Sequence, residues 1–189
     1  ACDKTAITIR GRDDARLPAA LASGSTLRQT VYGVEDAATL EAIEAEMKKD
    51  REVVRADDGS VTFQDVVGFE LKFQLTRRIA IEMEPELINS PGAKPMRTFN
   101  KIGANEDAEA KPRTLSHIVY FTPDMPATEK FYVERLGFEV TDRFNGVGPF
   151  LKPQANIDHH TLFMLHTPPY MQGLEHLAFH MQGPTELML

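Results

Sequence analysis

Six histidines are spread through the 189 residues, and two of them stand at matching places in a repeated segment. His117 and His176 are each the third residue of a short apolar run, Leu115-Ser116-His117-Ile118-Val119-Tyr120 and Leu174-Glu175-His176-Leu177-Ala178-Phe179. A lone histidine on an apolar strand is ordinarily a satisfied core residue. Two at equivalent positions are different, because strands related by an internal repeat pair about a pseudo-twofold axis and bring their imidazoles together. Neutral imidazole is the commonest metal ligand, so the chemistry this spacing offers is ligation of a divalent metal. An earlier copy, Leu27-Arg28-Gln29-Thr30-Val31-Tyr32, carries Gln29 at the same place, and no metal is expected there.

The remaining histidines are less ordered by the repeat. His159 to Leu165 reads as one strand, and strand alternation sends His159 and His160 to opposite faces, with Leu162 and Met164 on the face of His160. One of the two histidines then faces the cleft, and periodicity alone does not say which. His166 and His180 fall near strand ends, where a histidine is more often solvated or structural.

The elements that must position these residues are written twice. After Leu27 to Val34 comes a helical stretch from Ala37 to Lys48, with Leu40, Ile43 and Met47 at helical spacing. Three short strands follow, Val53 to Arg55, Val61 to Phe63 and Phe69 to Leu75, the first two joined by a turn at Asp57-Asp58-Gly59. After Leu115 to Thr122, Asp124 caps a helix, Pro126 suits its first turn and Gly137 ends it. Strands over Phe138 to Arg143, Gly148 to Lys152 and His159 to Leu165 complete the second unit. This is βαβββ twice, and the copy at Leu174 opens a further unit that stops after Glu186 and Leu187. The fold class is therefore α+β, with paired βαβββ units forming open, curled sheets in two tandem domains, each incomplete. The expected boundaries are 1–88 for the first, 89–113 for a linker rich in Pro, Gly and charge, and 114–189 for the metal-binding domain.

Leu115-Ser116-His117-Ile118-Val119, Phe131-Tyr132 with Leu136-Gly137-Phe138, His159-His160-Thr161-Leu162 and Gly173-Leu174-Glu175-His176-Leu177-Ala178-Phe179 together resemble the catalytic domain of type I extradiol ring-cleavage dioxygenases, within the vicinal oxygen chelate superfamily. The resemblance covers Leu115 to Leu189 well and Leu27 to Leu75 more loosely, as a non-catalytic domain. It implies that His117 and His176 are ligands of Fe(II), that His160 is an acid/base histidine beside the metal, and that the partners are a small aromatic diol and O2. Two histidines and a carboxylate on one face of Fe(II) leave positions for both diol oxygens and O2. The family's carboxylate is a glutamate on a strand that has no counterpart here. Glu175 adjoins His176 on one strand and should point to the other face, and Glu186 sits where a helix should begin. Within the same superfamily, isomerases or transferases using Mn, Zn or Ni and metal-free binding proteins share the strand and helix pattern.

Bulk composition narrows the alternatives. With 21 basic and 28 acidic residues the net charge is -7, which offers no sequence-wide attraction for nucleic acid or an anionic membrane. No apolar run approaches the roughly 20 residues that span a bilayer. The single cysteine, Cys2, can form no internal disulfide, which fits a cytoplasmic location. A homo-oligomer follows from the resemblance alone. The start at Ala1 and the apolar ending Leu187-Met188-Leu189 without a stop signal lead us to expect a longer protein, with about half a domain missing at each end.

Overall fold

The computed structural model describes residues 2–10, 26–81, 89–97, 99, 100 and 110–188, with side chains described from residue 27 onward. In chain order its elements are β1 (Cys2–Arg10), β2 (Thr26–Val34), α1 (Ala37–Met47), β3 (Val54–Arg55), β4 (Val61–Gln64), β5 (Glu70–Leu75), β6 (Thr114–Thr122), α2 (Met125–Leu136), β7 (Phe138–Phe144), β8 (Gly148–Pro153), β9 (Leu162–His166), β10 (Gly173–His180) and α3 (Pro184–Met188). The three copies of the repeated segment are β2, β6 and β10, each beginning one residue before its leucine. The acidic stretch Glu106-Asp107-Ala108-Glu109 of the expected linker lies outside the described residues, as do Gly103 and Leu189.

Local chemistry explains the two long helices. Asp36 accepts a hydrogen bond from the Thr39 N–H (2.8 Å) and caps α1, which buries Leu40, Ile43 and Met47. Asp124 does the same for α2 through the Ala127 N–H (3.3 Å), and Gly137 ends that helix in the left-handed region at φ 69°. No helix among the described residues is long and apolar enough to cross a membrane.

The fold is α+β, with two open five-stranded sheets in the orders β1-β2-β5-β4-β3 and β10-β6-β9-β8-β7. Each helix carries the chain to the far edge of its sheet, β3 or β7, and antiparallel pairing then brings it back until β5 lies parallel to β2 and β9 parallel to β6. The strand β1, antiparallel to β2, was not foreseen from the sequence.

Among the described residues the chain divides into two compact units, one of residues 1–78 and 116–178, the other of 79–115 and 179–189. The first holds a continuous core to which both βαβββ copies contribute, including Tyr32, Phe63, Phe73, Tyr120, Tyr132, Phe138, Leu162 and Met164. Its aromatic rings meet edge-on and stacked, Tyr32 with Phe73 at 5.4 Å and with Phe138 at 5.6 Å, and Phe69 with Tyr120 at 4.4 Å. In the second unit Arg113 pairs with Glu186 at 2.6 Å, and Asn89 Oδ1 accepts from the Met96 and Arg97 N–H groups.

The expected last strand of the second copy is corrected. It runs from Leu162 to His166, so His159 and His160 lie before it in irregular backbone and the alternation argument does not reach them. Next to this strand Gly148 is required by space. A Cβ there would lie 1.7 Å from the Met164 carbonyl oxygen, so only glycine lets β8 and β9 approach as they do.

Candidate metal and acid/base site

Membership of the core cluster, more than burial alone, separates the faces of the β6 sheet, because Val31 and Val119 are buried on the side of Gln29 and His117 yet lie outside that cluster. The fourth and sixth residues of the first two strand copies, Thr30 and Tyr32, Ile118 and Tyr120, are all fully buried. Leu162 and Met164 sit beside Ile118 and Tyr120 in the parallel pair β6/β9 and are buried with them. The third residue of the first two copies therefore points the other way, which takes His117 to the face opposite the core.

On that face His117 meets His176. Their Nε2 atoms are 3.1 Å apart and the rings stand nearly edge to face. The register follows from the backbone: the Arg113 N–H donates to the His180 carbonyl at 2.8 Å, and four residues inward along each strand His117 and His176 come opposite. Ser116 Oγ lies 3.4 Å from His117 Nδ1. Glu175, expected to point away from His176, instead reaches round the exposed strand and its carboxylate contacts His176 Nδ1. A carboxylate there favours the proton on Nδ1 and leaves Nε2 as the acceptor nitrogen.

His160 belongs to the same group, its ring centroid 4.4 Å from that of His117. Had the strand continued through it, His160 would have shared the buried face of Leu162 and Met164. Ending the strand at Leu162 frees the backbone to turn it toward His117. His159 was expected on the opposite face from His160, but the two Nδ1 atoms are 3.0 Å apart and both rings rest against Phe150. Phe150 stacks on Phe163 at 4.1 Å, and the two make an apolar floor that no motif in the sequence announced. Strand periodicity through Phe150 and Phe163 was the available signal. Four of the six histidines thus gather. The other two do not: His166 is exposed at the end of β9, and His180 meets Thr114 Oγ1 at 2.7 Å.

Two donors fit a shared metal. Nitrogens bound to one ion at about 2.1 Å and at roughly a right angle stand about 3.0 Å apart, close to the observed separation. Among the described residues no group of three or more His, Cys, Asp or Glu side chains converges as a ligand set. Glu186 is committed to Arg113 and to the Gln182 N–H (2.9 Å), and those contacts lower its pKa, the Gln182 bond most strongly. Gln29, at the corresponding place on β2, donates to Glu70 at 2.7 Å.

A second polar group lies in the core. Asp65, in the turn between β4 and β5, accepts from the Val67 and Phe69 N–H groups (3.0 and 2.9 Å) and from the Tyr132 hydroxyl (3.3 Å). Burial raises its pKa to about 6 against those hydrogen bonds. Close by, the Tyr120 and Thr30 hydroxyls share a hydrogen bond of 2.5 Å. No signal in the sequence marks Asp65, since an aspartate in a turn is usually solvated.

Residues 114–187 match a family model described as Glyoxalase/Bleomycin resistance protein/Dioxygenase superfamily. Over 76 residues, 40% of this chain and 23% of the relative, the sequence is 32% identical to Metapyrocatechase 2 of Cupriavidus necator. Among solved structures the fold is similar to BphC, a halotolerant catechol dioxygenase, with TM-score 0.61 and 19% identity over 87% of this chain and 54% of that one. It is similar also to the Mn(II)-bound glyoxalase from Novosphingobium aromaticivorans, with TM-score 0.57 and 19% identity over 87% and 49%. At such identities the structural likeness shows the fold alone. The chain spans about half the length of these two structures and under a quarter of that of the sequence relative.

Proposed function

We propose, on the premise that residues 114–187 are a domain of the Glyoxalase/Bleomycin resistance protein/Dioxygenase superfamily, that this chain carries the two-histidine part of an Fe(II)-dependent extradiol dioxygenase site. The reaction is the opening of a catecholic ring by O2. The observation that carries this reading is the meeting of His117 and His176 at 3.1 Å from equivalent positions of a repeated strand, with His160 beside them. The names of the metapyrocatechase relative and the catechol dioxygenase neighbour support the choice of reaction.

In this reading His117 and His176 hold the metal through Nε2, and Fe(II), when bound, supplies a Lewis-acidic, redox-capable centre for diol and O2. His160 would accept a proton from a diol hydroxyl and later donate it to an oxygen derived from O2. Phe150 and Phe163 present a flat apolar surface suited to an aromatic ring and poor for water. The third, carboxylate ligand is assigned neither to Glu175, whose Oε2 contacts His176 Nδ1, nor to Glu186, whose oxygens are held by Arg113 and the Gln182 N–H. The domain limits 1–88, 89–113 and 114–189, a cytoplasmic location and homo-oligomerisation belong to the same proposal.

The Mn(II)-bound glyoxalase neighbour favours a second reading, an isomerase or transferase using Mn, Zn or Ni on the same histidines. His160 tips the choice toward ring cleavage, because that reaction uses an acid/base group beside the metal. The test is elemental analysis of the purified protein and of the His117→Ala and His176→Ala variants after metal loading and desalting. Metal retained by the parent and lost from both variants is expected, and iron-dependent O2 uptake with catechol separates the two readings. Stoichiometric metal in both variants overturns the ligand assignment.

A further inference from the structure

His159 has no part in the proposed reaction, yet its contacts are specific. Its Nδ1 lies 3.0 Å from Nδ1 of His160, and its Nε2 lies 3.8 Å from Asp142 Oδ2, longer than a hydrogen bond but within reach of the carboxylate's charge. Asp142 is on β7, where its Oδ1 accepts the Arg143 N–H at 2.7 Å and Oδ2 is the oxygen near the imidazole. Phe150 is the β8 partner of Asp142 and contacts both histidine rings, at 5.4 Å and 4.8 Å, so one pair of strands supports all three side chains.

Two Nδ1 atoms at this separation bond only if one carries a proton and the other a lone pair. A carboxylate beside Nε2 of His159 favours the proton at that nitrogen, which makes Nδ1 of the neutral ring the acceptor. His160 then donates from Nδ1, and its Nε2 becomes the nitrogen that accepts. This is the reverse of the tautomer that neutral histidine prefers in water.

We infer that Asp142 and His159 are positioning residues that set the tautomer of His160, so that it meets a diol hydroxyl with an acceptor at Nε2. The inference rests on the acid/base role proposed for His160. In the step it serves, the hydroxyl O–H bond breaks with its electron pair left on oxygen, and an N–H bond forms at Nε2. The bond from His160 Nδ1 to His159 is kept throughout.

The tautomer can be read in the chain itself by long-range proton–nitrogen NMR of histidine-labelled protein, at a pH above the histidine range. The His160 signals are assigned by their loss in His160→Gln. The wild type is expected to show His160 mainly as the Nδ1–H form. His159→Phe and Asp142→Ala should shift it toward the Nε2–H form, whereas His159→Gln, whose side-chain carbonyl accepts the same bond, should retain Nδ1–H. Asp142 is exposed, so its variant carries the test should His159→Phe fail to fold. An Nε2–H tautomer in the wild type, or one tautomer unchanged in every variant, overturns the inference. No metal, diol or O2 enters this measurement, so its failure is distinct from failure of the proposed reaction, which metal content and O2 uptake judge.

Discussion

Because β9 begins at Leu162, His160 escapes the alternation that carries Leu162 and Met164 into the core. A histidine locked into that strand would be buried among apolar side chains and far from His117. Standing outside it, His160 packs against His117 and over the edge of Phe150. In the proposed reaction it moves protons and holds no metal. His160→Ala is therefore expected to retain iron while turnover of catechol falls by about 100- to 10,000-fold, the usual contribution of a general acid/base. Iron content and initial rates of O2 uptake check this. Loss of iron would make His160 a ligand, and an unchanged rate would remove it from the chemistry.

At the scale of elements, the face that holds the histidines depends on how closely β8 and β9 approach. Gly148 pairs with Phe144 of β7 on one side and lies against the Met164 backbone on the other. Backbone cannot yield as a flexible side-chain tip does, so a methyl group there must push the strands apart. Gly148→Ala is expected to destabilise the fold by about 3 kcal/mol, at the upper end of the usual cost of overpacking. Urea unfolding monitored by circular dichroism measures it. A change below about 0.5 kcal/mol, the level of a neutral surface substitution, would show that the two strands have room. The helices are joined by charge as well as packing: Arg135 of α2 reaches Glu46 at 3.0 Å and Asp50 at 2.6 Å, and holds the Asp50 carboxyl far below the usual carboxylate range.

For the molecule as a whole, the unit of residues 1–78 and 116–178 has one core with a titratable group inside it. Asp65 comes from the first βαβββ copy, and Tyr132, which donates to it, from the second. Its folded pKa of about 6 lies above the unfolded value of 3.8, so the folded state binds the proton more tightly. The stability this confers is fully present below the unfolded pKa and is lost as pH rises through the folded one. The shift corresponds to about 3 kcal/mol. Asn at this position keeps an oxygen for the two turn N–H groups and cannot ionise. Between about pH 4 and pH 7, Asp65→Asn should thus gain about 3 kcal/mol relative to the parent, in paired denaturant titrations. A difference that is flat across this range would show Asp65 to be solvated.

What could be read from the chain alone was local or periodic. The cap Asp124, the stop at Gly137 and the repeated strand follow from side-chain chemistry over a few residues, and they are where the sequence placed them, whereas the cap Asp36 was seen only in the structure. The pairing of His117 with His176 was legible because a repeat carries spatial equivalence within it, although their role as ligands remains a proposal. Position relative to the core was not legible. Whether His117 or Ile118 faces inward depends on Leu162 and Met164, more than forty residues away, and on the rings of the first copy. The position of His160 turned on where β9 begins. Nothing in the sequence singled out Asp65, whose partner Tyr132 lies 67 residues further on. These outcomes belong to tertiary structure because burial and strand register are properties of pairs of segments, and no single segment contains them.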